Sequence, residues 1–395
     1  MQRWQRAVAA AAIWIALICC ASAAEQASTP TLIESKFDTA TEQTLIRVRF
    51  NDASLWCGLD SGFSALIAVD RDKAERAGLT AGRAGPTPDG APPPASDAGA
   101  KATVRIGGVT LANQSLILMR LPAEAPDMDC IVGVGLLRGF VVEFDHVEPV
   151  VRLHERGSYR PPPTARELPL VFRTNPNVPF IDVEVVFTDG TRQAARVLAD
   201  TGATYYSAVF VSAFVENVRA RIPVTARPAN RPESTGGQIQ LVATRPLAIS
   251  VGPFSVSQPV VALLQTDLGS GGIDDGLLGW GFWRRFTVGF DFEGHRLYLT
   301  PNRDFDRRQT FDASGVGFRR RDGDYRVDIV LPDTPASRPG LREGDMLVTI
   351  DGRAARDLTP VQLRELLSRP GAVCDLRLDR GGVPVHVELR LESRL

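Results

Sequence analysis

The sequence predicts a mainly β protein built from two related lobes and a third, smaller unit. Three observations predict it. Short alternating apolar runs separated by turn signals recur as hairpins. The triplet Asp-Ser/Thr-Gly occurs twice, at Asp60-Ser61-Gly62 and at Asp200-Thr201-Gly202. A longer segment then repeats without gaps, with Asp129 to Phe140 matching Asp275 to Phe286 at a constant offset of 146 residues.

Length and composition set the frame. At 395 residues the chain can hold two or three domains with proper cores. Its 44% hydrophobic and 23% charged residues are those of a globular protein. A formal net charge of −1 argues against nucleic acid or an anionic membrane surface as partner. Lysine occurs only at positions 36, 73 and 101, which reads as composition bias rather than function.

Residues 1–24 read as a secretory signal peptide. Arg3 and Arg6 precede an apolar run from Ala7 to Ile18, and Ala21-Ser22-Ala23-Ala24 supplies small cleavage-site residues. That run is too short for a membrane span, and no other reaches spanning length. Cys19 sits where a lipoprotein signal wants a small residue, which argues against a lipid anchor at Cys20. The expected location is therefore periplasmic or secreted. With the signal removed, Cys57, Cys130 and Cys374 remain, enough for one disulfide and one free thiol in an oxidising compartment. His146, His154, His295 and His386 are scattered and no His-Glu-x-x-His occurs, so neither a metal nor another cofactor is expected.

The first lobe is placed at residues 29–156 and the second at 166–302. Leu45–Phe50, a turn at Asn51-Asp52, and Ser54–Leu59 read as a hairpin running into Asp60. Val178–Phe187, a turn at Asp189-Gly190, and Ala194–Ala199 read the same way into Asp200. Short helices are expected after each triplet, one capped by Asp70 and one over Ser212–Arg219. The Pro-rich stretch Tyr159–Pro163, within a linker at 157–165, separates the lobes. A second Pro-rich stretch, 85–94, is expected to be a disordered loop. A third unit begins near Ser314, after the charged stretch Arg303–Arg308.

The paired carboxylates carry the chemistry. Hydrolysis of a peptide bond by water needs one carboxylate as base and one carboxylic acid as proton donor. Two like charges brought close cannot both ionise cheaply, so Asp60 and Asp200 would share a proton without a cofactor. Gly62 and Gly202 let two backbones approach, while the Ser61 and Thr201 hydroxyls can hold the carboxylate-bearing loops.

These motifs resemble a bacterial retropepsin-like aspartic protease with two fused lobes. Val197-Leu198-Ala199-Asp200-Thr201-Gly202-Ala203 matches the family motif in full. Ile131-Val132-Gly133 and Leu277-Leu278-Gly279 match its apolar-apolar-Gly strand, and Gly236-Gly237-Gln238 is similar to its flap. The resemblance implies a bilobal pair of retropepsin- or pepsin-like acid protease β-barrels, with Asp60 and Asp200 catalytic and protein or peptide as substrate. It also implies neighbouring strands at Cys57 and Cys130, which would place there either a disulfide or two buried thiols. With both lobes in one chain, a monomer is expected. One departure stands out, because Phe63 occupies the place of a small residue.

The C-terminal unit, 314–395, resembles a PDZ domain, a partly open β-barrel with helices. Gly315-Val316-Gly317-Phe318 matches the carboxylate-binding loop, followed by Gly340-Leu341-x-x-Gly344-Asp345 and the Asp351-Gly352 turn, with a helix over Thr359–Ser368. The resemblance implies capture of a C-terminal peptide ligand, recruiting or regulating substrate. Two alternatives remain. Phe63 favours a catalytically degenerate lobe pair acting as a PDZ-linked protein-binding scaffold. Gly269-Ser270-Gly271-Gly272 prompts a serine protease, but Gly-x-Ser-x-Gly is absent.

Overall fold

The computed structural model describes residues 31–33, 35–38, 43–79, 97–121, 128–148, 150–173, 177–203, 205–221, 227–232, 238–265, 273–321 and 323–395. The expected signal peptide, the Pro-rich stretch 85–94, Gly236-Gly237 and Gly269–Gly272 lie outside them.

Both expected hairpins form. Gln43–Phe50 pairs antiparallel with Ala53–Asp60, Leu45 lying opposite Gly58. Pro179–Val186 pairs likewise with Arg192–Ala199, Phe180 lying opposite Leu198. Asn51 (φ 51°) and Gly190 (φ 82°) take left-handed backbone at the two turns, which asparagine and glycine tolerate.

The sequence repeat becomes a repeat of topology. Ala53–Asp60 runs parallel to Cys130–Gly133, which pairs antiparallel with Ile67–Asp70. Arg192–Ala199 runs parallel to Gly276–Leu278, which pairs antiparallel with Ala208–Phe210. Each triplet therefore ends a strand held between its own hairpin partner and the repeated segment. A short helix follows in each lobe, Arg71–Arg76 with Asp70 as its cap and Ser212–Val218.

A third sheet joins the lobes. Its six strands run Thr31–Ile33, Val150–Glu155, Phe140–Asp145, Phe286–Asp291, Arg296–Pro301 and Arg166–Pro169. At its centre Phe140–Asp145 and Phe286–Asp291 are antiparallel, with Glu143 opposite Gly289. Those two residues are equivalent under the 146-residue offset, so the pseudo-twofold axis relating the lobes passes between them. The linker closes over this point. Tyr159 packs on His154 and Tyr298, with ring centroids 4.7 and 5.3 Å away. A Cβ at Gly289 would lie 2.7 Å from the Tyr159 hydroxyl, so the missing side chain is the space that the linker tyrosine fills.

The fold is mainly β and bilobal, in agreement with the class the sequence predicts. One contiguous apolar core runs through both lobes and the joining sheet, including Phe144, Trp283 and Phe290. A separate core lies within Ala313–Leu391, under an antiparallel sheet ordered Val316–Arg321, Asp324–Val330, Met346–Ile350, Val373–Arg380 and Val383–Arg390. The helix Pro360–Leu366 covers that sheet and begins in a capping box, Thr359 with Gln362, with proline at its first position. No helix among the described residues is long and apolar enough to cross a membrane.

Candidate active site

The topology brings Asp60 and Asp200 to the seam between the lobes, Asp60 as the last residue of its strand and Asp200 directly after its own. The two following hydroxyls then exchange places. Ser61 Oγ donates to the Ala199 carbonyl (2.5 Å) and accepts from the Thr201 amide (2.9 Å). Thr201 Oγ1 donates to the Leu59 carbonyl (2.8 Å) and accepts from the Ser61 amide (3.0 Å). Each hydroxyl thus satisfies two backbone groups of the other lobe, and the four bonds fix one loop against the other.

The carboxylates are aimed by their own loops. Asp60 Oδ1 accepts from the Gly62 amide at 2.7 Å, and Asp200 Oδ1 accepts from the Gly202 amide at 2.7 Å and Ala203 at 3.1 Å. The glycines also cross over. A Cβ at Gly62 would lie 2.9 Å from Asp200 Cγ, and one at Gly202 would lie 2.5 Å from Asp60 Cγ. Each carboxylate therefore rests on the opposite lobe's glycine, in contact too close for a side chain. The carboxyls are close enough that each alters the other's ionisation. Burial pushes the Asp60 carboxyl up, partly offset by the Gly62 amide. Burial and then the Asp60 charge push Asp200 well above the usual carboxylate range.

Phe63, the departure seen in the sequence, keeps the backbone bond of its counterpart in the second lobe. The Phe63 carbonyl accepts from the Val134 amide at 2.9 Å, and its counterpart Ala203 accepts from the Trp280 amide at 2.8 Å. A Cβ at Gly133 would come 2.8 Å from Phe63 Cδ1, so the ring edge lies over that glycine. The backbone role is the same in both lobes.

Cys57 and Cys130 are joined by a disulfide, Cα–Cα 4.4 Å, directly opposite each other in the parallel pair. The bond ties the strand ending in Asp60 to its neighbour. The second lobe has Val197 and Gly276 at the corresponding register and no such tie. Cys374 is buried, and burial pushes its thiol up to about 11.

Three supporting residues escaped the sequence reading. Gln43 Nε2 of the first lobe donates to the Gly202 carbonyl of the second (2.5 Å). Trp283 Nε1 donates to the carbonyls of Asp200 (3.0 Å) and Leu278 (2.8 Å), clamping the second triplet from behind. Gln309, beyond the second lobe, is buried against it. Its Oε1 accepts from Ser207 Oγ (2.8 Å) and its Nε2 donates to the Tyr205 carbonyl (2.6 Å). The repeat offered one signal, since Trp283 aligns with Leu137 and breaks the symmetry there.

In the C-terminal unit, Gly315 lies at φ 78°, and its amide donates to Asp312 Oδ2 at 2.8 Å. The Val316 amide donates to Ser314 Oγ at 3.1 Å. Gly317 and Phe318 flank a bulge in Val316–Arg321, which ends the sheet as an edge strand.

No family model and no curated protein matches the chain. Among solved structures it is similar to the aspartic proteinase of Irpex lacteus, at 13% identity and a TM-score of 0.43. That alignment covers 71% of this chain and 99% of the other. A likeness of this degree carries no inference about chemistry, which rests on the site itself.

Proposed function

We propose that the protein is an aspartic endopeptidase of the retropepsin-like kind, hydrolysing peptide bonds through Asp60, Asp200 and an activated water. One observation carries this reading: two half-sites of identical design, each carboxylate set on the other lobe's glycine and each hydroxyl holding the other lobe's backbone. The pair holds one proton at working pH, because burial and mutual repulsion oppose a second negative charge. The ionised carboxyl takes a proton from water, whose oxygen attacks the scissile carbonyl carbon. The protonated carboxyl gives its proton to the carbonyl oxygen. Collapse of the tetrahedral species returns that proton to the pair, passes one to the leaving nitrogen and breaks the C–N bond.

A PDZ-like C-terminal unit recruiting protein substrates completes the proposal. The edge position of the strand Val316–Arg321 supports strand addition by an extended peptide. Because Gly315 and Val316 spend their amides on Asp312 and Ser314, a terminal carboxylate would be met further along the loop. The Cys57–Cys130 bond supports an oxidising compartment, periplasmic or extracellular.

The test uses the mature chain on denatured protein and a peptide library from acid to neutral pH. Asp60→Asn and Asp200→Asn are each expected to abolish cleavage, and a statine-type peptide to inhibit the wild type. Full activity in either variant would overturn the dyad. The scaffold reading predicts that the wild type cleaves nothing at any pH. Phe63 was its motive, and the matching backbone role of Phe63 and Ala203 supports the catalytic reading instead.

A further inference from the structure

The loops that follow the two triplets are built alike but differ in length. In the first lobe, the Phe63 and Leu66 carbonyls accept from the Val134 and Gly133 amides. In the second, the Ala203 and Ser207 carbonyls accept from the equivalent Trp280 and Gly279 amides. The first pair of carbonyls lies three positions apart and the second four, so the second loop carries one residue more. Strand register agrees. Ile67, seven positions after Asp60, lies opposite Val132, whereas Ala208, eight positions after Asp200, lies opposite the equivalent Leu278. Tyr205 sits in the longer stretch at a left-handed φ of 66°. A bulky residue held there is strained, and it persists only where its surroundings over-determine it.

Those surroundings come largely from outside the lobe. Gln309, in the connection to the C-terminal unit, is buried. Its Nε2 donates to the Tyr205 carbonyl at 2.6 Å, and its Oε1 accepts from Ser207 Oγ at 2.8 Å and the Val260 amide at 3.1 Å. One side chain thus fastens the loop at two residues and ties both to a neighbouring segment of the lobe. The Tyr205 ring is held as well. Phe311, of the same connection, lies 6.5 Å away between centroids. The Arg364 guanidinium, on the helix Pro360–Leu366 of the C-terminal unit, lies 5.0 Å from the ring centroid. Tyr205, Tyr206, Ala243, Val260, Phe311 and Leu395 make one apolar cluster that draws on lobe, connection and C-terminal unit together. The first lobe, one residue shorter here, is tied by the Cys57–Cys130 bond instead.

We propose that the C-terminal unit and its connection are a working part of the second half-site: Gln309 and Arg364 hold Tyr205 in its left-handed conformation and thereby position Asp200. The path is short. Two positions before Tyr205, the Ala203 amide donates to Asp200 Oδ1 at 3.1 Å, and the Ala203 carbonyl accepts from the Trp280 amide at 2.8 Å. A carboxylate that must meet its partner closely is sensitive to the loop that presents it. Gln309 and Arg364 act through Tyr205, as positioning residues. The unit therefore serves the chemistry as well as any recruitment of substrate. Its effect on cleavage rests on the proteolytic reading of the dyad, whereas the clamp on the loop rests on contacts alone.

The test combines amide hydrogen exchange with turnover on the full chain carrying Gln309→Leu, Arg364→Ala or Arg364→Lys. The Gly202 and Ala203 amides, both bonded to Asp200, read the seating of that carboxylate without any cleavage. Their exchange should quicken by about tenfold in Gln309→Leu and about threefold in Arg364→Ala. The Gly62 amide, bonded to Asp60 in the first lobe, should exchange as in the wild type. Turnover, kcat, should fall by similar factors with KM held within about twofold, since positioning and not substrate binding is lost. Arg364→Lys, which keeps a cation over the ring, should recover most of the loss. Arg364→Ala, at a half-buried position, carries the test should Gln309→Leu not fold. The clamp is overturned if Gly202 and Ala203 exchange no faster in the variants, or if Gly62 quickens equally, the mark of general loosening. Faster exchange with unchanged kcat would overturn the link from Tyr205 to Asp200. Should exchange respond as expected while the wild type cleaves nothing, the clamp stands and the proteolytic reading alone falls.

Discussion

Gly202 and Asp60 come from different lobes, yet a Cβ on that glycine would sit 2.5 Å from the Asp60 carboxyl carbon. The reciprocal contact, Gly62 with Asp200, is looser at 2.9 Å. Gly202→Ala should therefore push the carboxylates apart, abolish cleavage and cost about 1–3 kcal/mol of stability by overpacking. Gly62→Ala should do the same more mildly. Urea midpoints and turnover on one peptide would check the order; equal effects would mean the loops shift together.

The exchanged hydroxyls make a second prediction. Ser61→Ala leaves the Thr201 amide without its acceptor and the Ala199 carbonyl without its donor, at a cost of about 1–3 kcal/mol. Thr201→Ser keeps the hydroxyl and should cost under about 1 kcal/mol, whereas Thr201→Val should behave like Ser61→Ala. A Thr201→Val protein as stable as Thr201→Ser would remove the role assigned to that oxygen.

The dyad should mark the pH dependence of stability. Both carboxyls are raised above the usual 3.8 in the folded protein, chiefly by burial. Between 3.8 and those raised values the folded chain holds a proton that the unfolded chain has released, so stability falls as pH rises through that window. Asp200→Asn cannot ionise and should be more stable than the wild type at neutral pH. The difference should close as pH falls below about 3.8. A difference that stays constant with pH would contradict the burial of the pair.

The Cys57–Cys130 bond closes a chain segment of 73 residues. Limiting the unfolded chain over that length is worth about 4 kcal/mol in the loop-entropy view. The double variant Cys57→Ala/Cys130→Ala should lose about 2–4 kcal/mol, read from denaturant midpoints. Cleavage should fall with it, since the bond anchors the strand that ends in Asp60.

Much of the site was legible in the chain because it is written twice. The triplets named the two carboxylates, the hydroxyls and the glycines, and the 146-residue offset announced that two lobes share one plan. Hairpin turns at Asn51 and Gly190 were legible through local chemistry, which needs only neighbours in sequence. Residues with a single copy stayed hidden. Gln43, Trp283 and Gln309 act through contacts spanning 159, 83 and 104 positions, and no local pattern marks a side chain for a distant carbonyl. Phe63 shows a related limit of pattern reading. Its contribution is a backbone carbonyl, which side-chain identity does not reveal.

By itself, then, the sequence determined the strands, the two half-sites and the residues that each would bring. Periodicity and repetition act locally and survive without a fold. Tertiary structure alone decided that Glu143 and Gly289 meet on the axis between the lobes. It also decided that each glycine lies under the other lobe's carboxylate, and that Gln309 reaches back to the Tyr205 carbonyl. Such contacts depend on how sheets close on one another, a property of the packed chain as a whole.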